Sequence, residues 1–444
     1  MKILLIGFGF VGKATYLLNN KDLTVYVYDI TPSLCIPEDI ILEDVLKEVD
    51  LIFVSLPTPT NIDGQCYTGL IDNLLKTINH EFIVIRSTVP VGYCDSLKVF
   101  FMPEFLTEKN WKEDFINNKN WLFGTYENCD LEKEEEFKKR ITELFNTSYN
   151  NKSINYNNIS FGKNKEMEMT KLIRNTFLAT KVSYFNEIYD LSKLLNVDYD
   201  KVIEYVKMDD RIGKSHMLCP GHDNKRGYGG TCFPKDTLSM YNQLIKNNIN
   251  SYILQSSLDR NENLDRSERD WLKDVNRTNV KNKSKIIMVV NGNNDLGLVL
   301  CNKLLEDDNK VIFLDRNIDK IGILCENKNF VHFNFDIKNK IFVPHVDKIY
   351  NLMSISNNNE EEDKLDKIIK YFEGTKNLLD LSLKHNSEYK FVINTDNSDD
   401  TDDNNNINNM IILLINEYNK KFNMNFEVLN KNELIDNLIN TNII

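Results

Sequence analysis

The stretch Lys2–Gly12, KILLIGFGFVG, decides the fold. Four consecutive Ile and Leu residues ahead of a glycine read as a short strand buried on both faces. Gly7, Gly9 and Gly12 then stand as G-x-G-x-x-G, where the strand would turn into a helix. In that setting Gly7 permits the tight turn, Gly9 lets backbone approach a pyrophosphate, and Gly12 lets the helix pack closely. The helix N-terminus points its free N–H groups at the phosphates. Seventeen residues past Gly12, Asp29 closes the next apolar run, LTVYVYD. A carboxylate there accepts from a ribose 2′-hydroxyl and repels a 2′-phosphate, so the expected cofactor is NAD rather than NADP.

Outward from this turn, LIFVSLP and EFIVIRST repeat the same buried-strand pattern with helical stretches between. Such alternation gives βαβ units and a doubly wound sheet, so residues 1–155 are expected to form a Rossmann-type dinucleotide-binding domain in an α/β protein. From about 160 to 196 the pattern changes. KEMEMTKLIRNTFLATKVSYFNEIYDLSKLL contains neither proline nor glycine and spaces its apolar residues as a helix does. Its length suggests an inter-domain spine or a dimer face, and shorter helices are expected to about 275. Residues 156–278 are therefore read as an all-helical central and dimerisation domain. NRTNVKNKS (276–284) is a polar linker, and KIIMVVNGNNDLG and KVIFLDRN start a second βαβ domain over 279–444. NNNEEED (357–363) and NSDDTDDNNNINN (397–409) are acidic, Asn-rich and expected to be solvated loops.

The 444 residues carry a net charge of -12, which excludes nucleic acid and an anionic membrane surface as main partners. No run of 18 apolar residues is present, so no spanning helix is expected. The N-terminal apolar run is read as strand and turn rather than as a signal peptide, because a small-residue cleavage site is missing. The eight cysteines (35, 66, 94, 129, 219, 232, 301 and 325) form no CxxC pair, so no metal site is expected and the thiols read as reduced in a cytoplasmic compartment.

RGYGGTCFPKDT (226–237) concentrates three of the chain's 17 glycines around one cysteine and a Lys-Asp pair. Cys232 stands apart from the other seven cysteines, which read as small buried hydrophobes. Backbone amides and the cation of Lys235 would lower its thiol pKa from about 8.5 and raise the thiolate fraction. The glycines would let backbone come close to a ligand beside the thiol.

Seven motifs in order carry a resemblance: GFGFVG, VSLPTPT (54–60), RSTVPVG (86–92), MPEFLTE (102–108), EMTKLIRNTFLATKVSYFNE (168–187), DRIGKSH (210–216) and GYGGTCFPKD (227–236). Over residues 1–275 the chain resembles the UDP-glucose and GDP-mannose 6-dehydrogenase family. That resemblance implies two successive oxidations of a sugar C6 alcohol to a carboxylate, with two NAD reduced and UDP-glucose the expected substrate. It implies Cys232 as the nucleophile, because water must be added between the two oxidations and a thiohemiacetal followed by a thioester provides for that. It implies Lys171 and Asn175, one helical turn apart, as oxyanion stabilisers. Asp236 and Thr88 match positions that hold water and move protons, and Glu104 matches a general base. The cofactor positions implied are Gly7, Gly9, Val11, Gly12, Asp29, Pro57, Thr58, Ser87, Thr88 and Lys235. The substrate positions are Glu104, Phe105, Leu106, Lys171, Asn175, Tyr184, Arg211, Ser215, Tyr228 and Gly229, with Arg211 reaching the sugar from a neighbouring subunit. A homodimer through the long helix follows from the same likeness.

The chain also departs from that family. Thr107 stands where a basic residue is frequent, and the glycine-lysine-aspartate stretch of the usual uridine-binding third domain is not found after 280. Instead, about 285–430 resembles a degenerate UDP-glucuronate decarboxylase of the extended short-chain dehydrogenase type. Gly292 and Gly297 remain, the middle glycine is lost among Asn293, Asn294 and Asp295, and no Y-x-x-x-K follows at a usable position. This region is expected to be non-catalytic. Three other functions stay open: a sugar-nucleotide binder or assembly protein without activity, the same oxidation of another nucleotide hexose, or a bifunctional dehydrogenase-decarboxylase.

Overall fold

Residue alternation along the first strand shows how the N-terminal sheet is buried. In β1 (Lys2–Ile6) Ile3 and Leu5 join one apolar cluster, while Leu4 and Ile6 join another on the opposite face. Successive side chains of a strand point to opposite faces, so an unbroken apolar run fits a sheet covered on both sides. The structure is a computed structural model that describes residues 1–274, 284–337, 339–353, 364–393 and 402–440.

The first sheet adds β2 (Thr24–Tyr28), β3 (Leu51–Val54), β4 (Ile83–Ile85), β5 (Phe100–Phe101), β6 (Asn120–Thr125) and β7 (Asn158–Lys163). Their order is β2-β1-β3-β4-β5-β6-β7, parallel throughout except for the antiparallel β5–β6 pair. The helix expected from about 160 begins instead at Asn164, because Asn158–Lys163 pairs residue for residue with β6. Helix Asn164–Leu194 then runs for 31 residues. Its Asn164 donates to the Val99 carbonyl (2.8 Å) and Glu168 accepts from the Cys94 N–H (2.9 Å), so its first turns are tied to the segment that leads into β5. Shorter helices follow, among them Tyr199–Val206 and Phe233–Lys246.

A second sheet is built from β8 (Ile286–Val290), β9 (Lys310–Leu314), β10 (Phe330–Phe333), β11 (Lys348–Asn351), β12 (Glu388–Ile393) and β13 (Glu427–Asn430). All pairs are parallel, in the order β10-β9-β8-β11-β12-β13. Numbered within the sheet this is 3-2-1-4-5-6, the doubly wound arrangement of dinucleotide-binding folds. The molecule is thus α/β with two parallel-sheet regions and a helical stretch between them in sequence.

The contacts divide the chain into two units. One holds Met1–Thr60, Gln65–Met240 and the stretch beginning at Ser257, and the other holds Asn61–Gly64, Tyr241–Ser256 and the described residues from 284 onward. The linker NRTNVKNKS, apart from Ser284, and the acidic run 357–363 lie outside the described residues. The loop expected over 397–409 is corrected from 402 onward, where helix Asp402–Phe422 begins. Ile407, Ile411 and Ile415 are all buried, and their four-residue spacing extends a helical stripe back into the Asn-rich run.

Candidate active site

Helix Asn164–Leu194 and helix Phe233–Lys246 bring four charged or polar side chains together out of water. Lys171 Nζ lies 3.2 Å from Glu104 Oε2 and 4.0 Å from Asp236 Oδ2, and Lys171 is only 3 % exposed. Asn175, one turn further along, donates to Asp236 Oδ2 at 2.6 Å. Lys235 closes the set on the other carboxylate oxygen at 2.8 Å. Glu104 arrives from the segment after β5, and its second oxygen accepts the Leu106 N–H. Removing one member would strand a buried charge, at about 3–5 kcal/mol.

The electrostatics follow from this pairing. Burial works against the Lys171 charge, but Glu104, Asp236 and Cys232 outweigh it, so its pKa sits above the usual lysine value. Burial would raise Asp236, but Lys235 and Lys171 more than offset this and hold it below the usual carboxylate range. Lys235 is raised because Asp236 overcomes its burial. The thiol expected to be acidified is not. Burial pushes Cys232 up to about 11, and Lys171 only partly opposes this while Glu104 and Asp236 add to it. The sequence shows the Lys235–Asp236 pair beside the cysteine, but not the approach of Glu104 or the loss of solvent.

The glycines of the 226–237 stretch answer mostly to internal packing. A Cβ on Gly227, which has φ of +65°, would come within 2.3 Å of Asn261 Oδ1. One on Gly229 would stand 2.4 Å from the Arg266 guanidinium carbon. Only Gly230 faces open space. At Gly227 and Gly229 the lack of a side chain is thus required by Asn261 and Arg266, whereas at Gly230 no neighbour requires it.

The cofactor turn has the form its glycines imply. Gly7 takes φ of +89°, and a Cβ there would press on the Ser55 carbonyl at 2.7 Å. A Cβ on Gly12 would fall 2.0 Å from the Gly7 carbonyl oxygen, while one on Gly9 would meet nothing within 4 Å. Gly9 caps helix Phe10–Tyr16, whose second residue is Val11, and its open side leaves room for a phosphate against the helix start. Asp29 accepts the Phe8 N–H at 2.7 Å and the Thr31 N–H at 2.9 Å, which fixes its carboxylate at the end of β2. Thr58 donates to the Thr88 carbonyl (2.7 Å) and Ser87 to the Leu56 carbonyl (2.6 Å). These bonds join the loops after β3 and β4, while Pro57 stays exposed. These residues fit a dinucleotide cofactor. Among the described residues no cluster of three or more metal-ligating side chains occurs.

Other expected substrate residues are engaged elsewhere or exposed. The Arg211 side chain is 89 % exposed and paired with Asp209 at 2.6 Å. Ser215 bonds the His216 ring, and Tyr184 is 58 % exposed beside Phe185. Tyr228 is buried, with its backbone N–H and carbonyl both held by Asn261, so its ring is a core element rather than a surface for ligand. Phe105 and Leu106 line a cavity of about 410 Å³ beside the cluster.

Sequence reading missed three neighbours. Cys66 lies 3.7 Å from Lys235 Nζ across 169 residues, a contact with no local signal. The His216 ring is 5.4 Å from that of Phe233, next to Cys232, and Arg174 lies 3.5 Å from the Phe105 ring centre. Arg174 was detectable as the cation beside Asn175.

Residues 165–263 match the central domain of the UDP-glucose/GDP-mannose dehydrogenase family. A UDP-glucose 6-dehydrogenase of Campylobacter jejuni is 28% identical over 303 residues, 59% of this chain and 72% of that protein. Another from Streptococcus pneumoniae is 28% identical over 258 residues, covering 54% and 62%. The chain spans about half the length of the Rickettsia prowazekii UDP-glucose 6-dehydrogenase, 50%, at 28% identity and with 49% of this chain covered. In fold the chain is similar to a UDP-glucose dehydrogenase from Pyrobaculum islandicum, with a TM-score of 0.50, 20% identity, and 79% and 89% of the two chains covered.

Proposed function

This chain belongs, through its central region, to the UDP-glucose/GDP-mannose dehydrogenase family, and from that premise we propose that it oxidises the C6 alcohol of UDP-glucose to the carboxylate with two NAD. The observation that carries this reading is the buried Lys171–Glu104–Asp236–Asn175 cluster beside Cys232. When bound against Gly7, Gly9, Val11, Gly12, Asp29, Thr58 and Ser87, the nicotinamide supplies the hydride acceptor.

Lys171 keeps its proton in the neutral range, so it serves as a cation toward the oxygen at C6 and not as a base. The second N–H of Asn175 supports the same oxygen. The C6 alcohol would first lose its hydroxyl proton to water and a hydride to give the aldehyde; Cys232, resting as a thiol, then bonds the aldehyde carbon while its proton passes to the C6 oxygen, forming a thiohemiacetal. Loss of a hydride and a proton from that adduct leaves a thioester. Glu104 takes a proton from water, the water oxygen bonds the acyl carbon, and the carbon–sulfur bond breaks as that proton is passed to the departing sulfur, which returns the thiol. Asp236, ionised and held by Lys235, positions that water with Thr88.

The apolar face of the long helix supports a homodimer. Met169, Ile173, Phe177, Tyr184 and Leu191 are all exposed along it, at spacings of four and seven. Such a stripe is seldom left to water. A second copy would bring an Arg211 to the sugar. No described helix is long and apolar enough to cross a membrane, and a cytoplasmic location suits eight free cysteines.

The test is direct. Protein, UDP-glucose and NAD are mixed and absorbance at the NADH band is followed. Two NADH per sugar are expected; no NADH, or one with an aldehyde product, overturns the reading.

A further inference from the structure

The cavity beside Phe105 carries positive charge that the catalytic cluster does not use. Arg86, Lys119 and Arg174 all line its 410 Å³. Arg86 is 3 % exposed, its Nη1 donates to Thr15 Oγ1, and its Nε has no acceptor among the described residues. Among the described residues it forms no ion pair, and burial pulls its pKa down to about 10, only partly opposed by the charge of Glu104. Glu104 is already committed to Lys171, so a guanidinium this far removed from water is under-compensated and the site has room for a further anion. Arg174 is exposed at the cavity edge, stacked 3.5 Å from the centre of the Phe105 ring, and forms no ion pair among the described residues.

Two carboxylates share the lining. Asp114 is committed to the Thr107 N–H at 2.7 Å and the Thr107 hydroxyl, and Glu113 receives a long bond from Asn117 at 3.5 Å. The cations Arg86, Lys119 and Arg174 therefore outnumber them. The catalytic cluster, by contrast, sets Lys171 and Lys235 against Glu104 and Asp236 and has no charge to spare. A nucleotide sugar brings a dianionic diphosphate to a chain of net charge -12. Its counter-charge must come from outside the cluster but within reach of it. One ring joins the two places, because Phe105 also lies 5.9 Å from Lys171 Nζ.

We infer that Arg174, with Arg86 behind it, receives the substrate's diphosphate in this cavity and governs affinity rather than the chemical step. Arginine suits this role because its planar fork matches phosphate oxygens two at a time. The inference rests on the dehydrogenase reading above for its substrate, but its test does not need turnover.

Arg174→Met keeps the alkyl contact with Phe105 and removes the charge. The KM for UDP-glucose is expected to rise about tenfold or more, with little change in kcat and none in the KM for NAD. Calorimetry with UDP alone should show the same weakening, and Arg174→Lys should recover part of it. In the unaltered protein, phenylglyoxal should modify Arg174, as read by peptide mass, and UDP but not uridine should shield it. Unchanged UDP affinity in a folded Arg174→Met variant, or equal labelling with and without UDP, overturns the assignment. If that variant does not fold, the labelling result decides alone. Failure of the unaltered protein to form NADH would count against the dehydrogenase reading, while UDP binding and shielding would still judge Arg174.

Discussion

Two strand-to-helix turns in this chain share one plan and differ most at the helix cap. After β1, a Cβ on Gly12 would strike the Gly7 carbonyl oxygen at 2.0 Å; after β8, one on Gly297 would strike that of Gly292 at 1.8 Å. After β1, Asp29 accepts the Phe8 N–H at 2.7 Å; after β8, Asp315 accepts the Asn293 N–H at 3.1 Å. The helix caps part ways. Gly9 has no side chain and open space before it, whereas the Asn294 carboxamide accepts the Gly297 N–H at 2.9 Å. That amide N–H is one an anion would otherwise use. Asp295 adds a negative charge paired with Lys320. The outer glycines of such a turn report how closely helix meets strand, and the middle position reports whether a ligand can enter.

Four experiments press on this contrast, from the largest effect down. Cys232→Ser should lower steady-state NADH formation by about a thousandfold or more. Cys301→Ser, at the buried thiol of the second unit, should reduce thermal stability and leave turnover per folded molecule unchanged. Gly9→Val should weaken NAD binding by more than about tenfold, read by fluorescence titration, since its side chain would enter the space left for a phosphate. Its counterpart Asn294→Ala should leave NAD binding alone and remove about 1 kcal/mol of stability as a lost helix cap, read by denaturant melting. Equal effects of the two substitutions on NAD binding would erase the distinction between the turns.

A pH series gives the third test. With its pKa pushed up to about 11, Cys232 is protonated at neutrality, and its alkylation by iodoacetamide should quicken about tenfold per pH unit between 7 and 10. A plateau below pH 8 would contradict that environment. The smallest effect is expected from the two aspartates. Asp29→Asn should raise the KM for NAD severalfold and narrow the preference over NADP, and Asp315→Asn should change neither.

The sequence carried those parts of the molecule that depend on near neighbours. The glycine turn, Asp29 at a strand end, and Lys171 and Asn175 on one helical face are all set by spacing along the chain. Glu104 meeting Lys171 from 67 residues away required only that two motifs belong together, and the resemblance supplied this. What escaped was set by tertiary surroundings. The Cys232 thiol is governed by burial and by Glu104 and Asp236; of these only Asp236 stands in GYGGTCFPKD, while the burial and the approach of Glu104 do not show there. Gly227 and Gly229 are small because of Asn261 and Arg266, which come later in the chain. Helix Asp402–Phe422 begins inside a run whose composition alone suggested solvent, because three isoleucines fix its face.

Strand β7 passes into helix Asn164–Leu194 without a connecting loop, since Lys163 ends the one and Asn164 begins the other. Lys171 and Asn175 therefore stand two and three turns along a rod rooted in the same sheet that presents Gly9. A change in the tilt of that last strand would swing both residues together as a lever swings its load, with no slack segment to absorb it. The alignment of Lys171 with the Gly9 turn is thus inherited from sheet twist, and substitutions at the β6–β7 pairing, far from both, should be felt as misalignment.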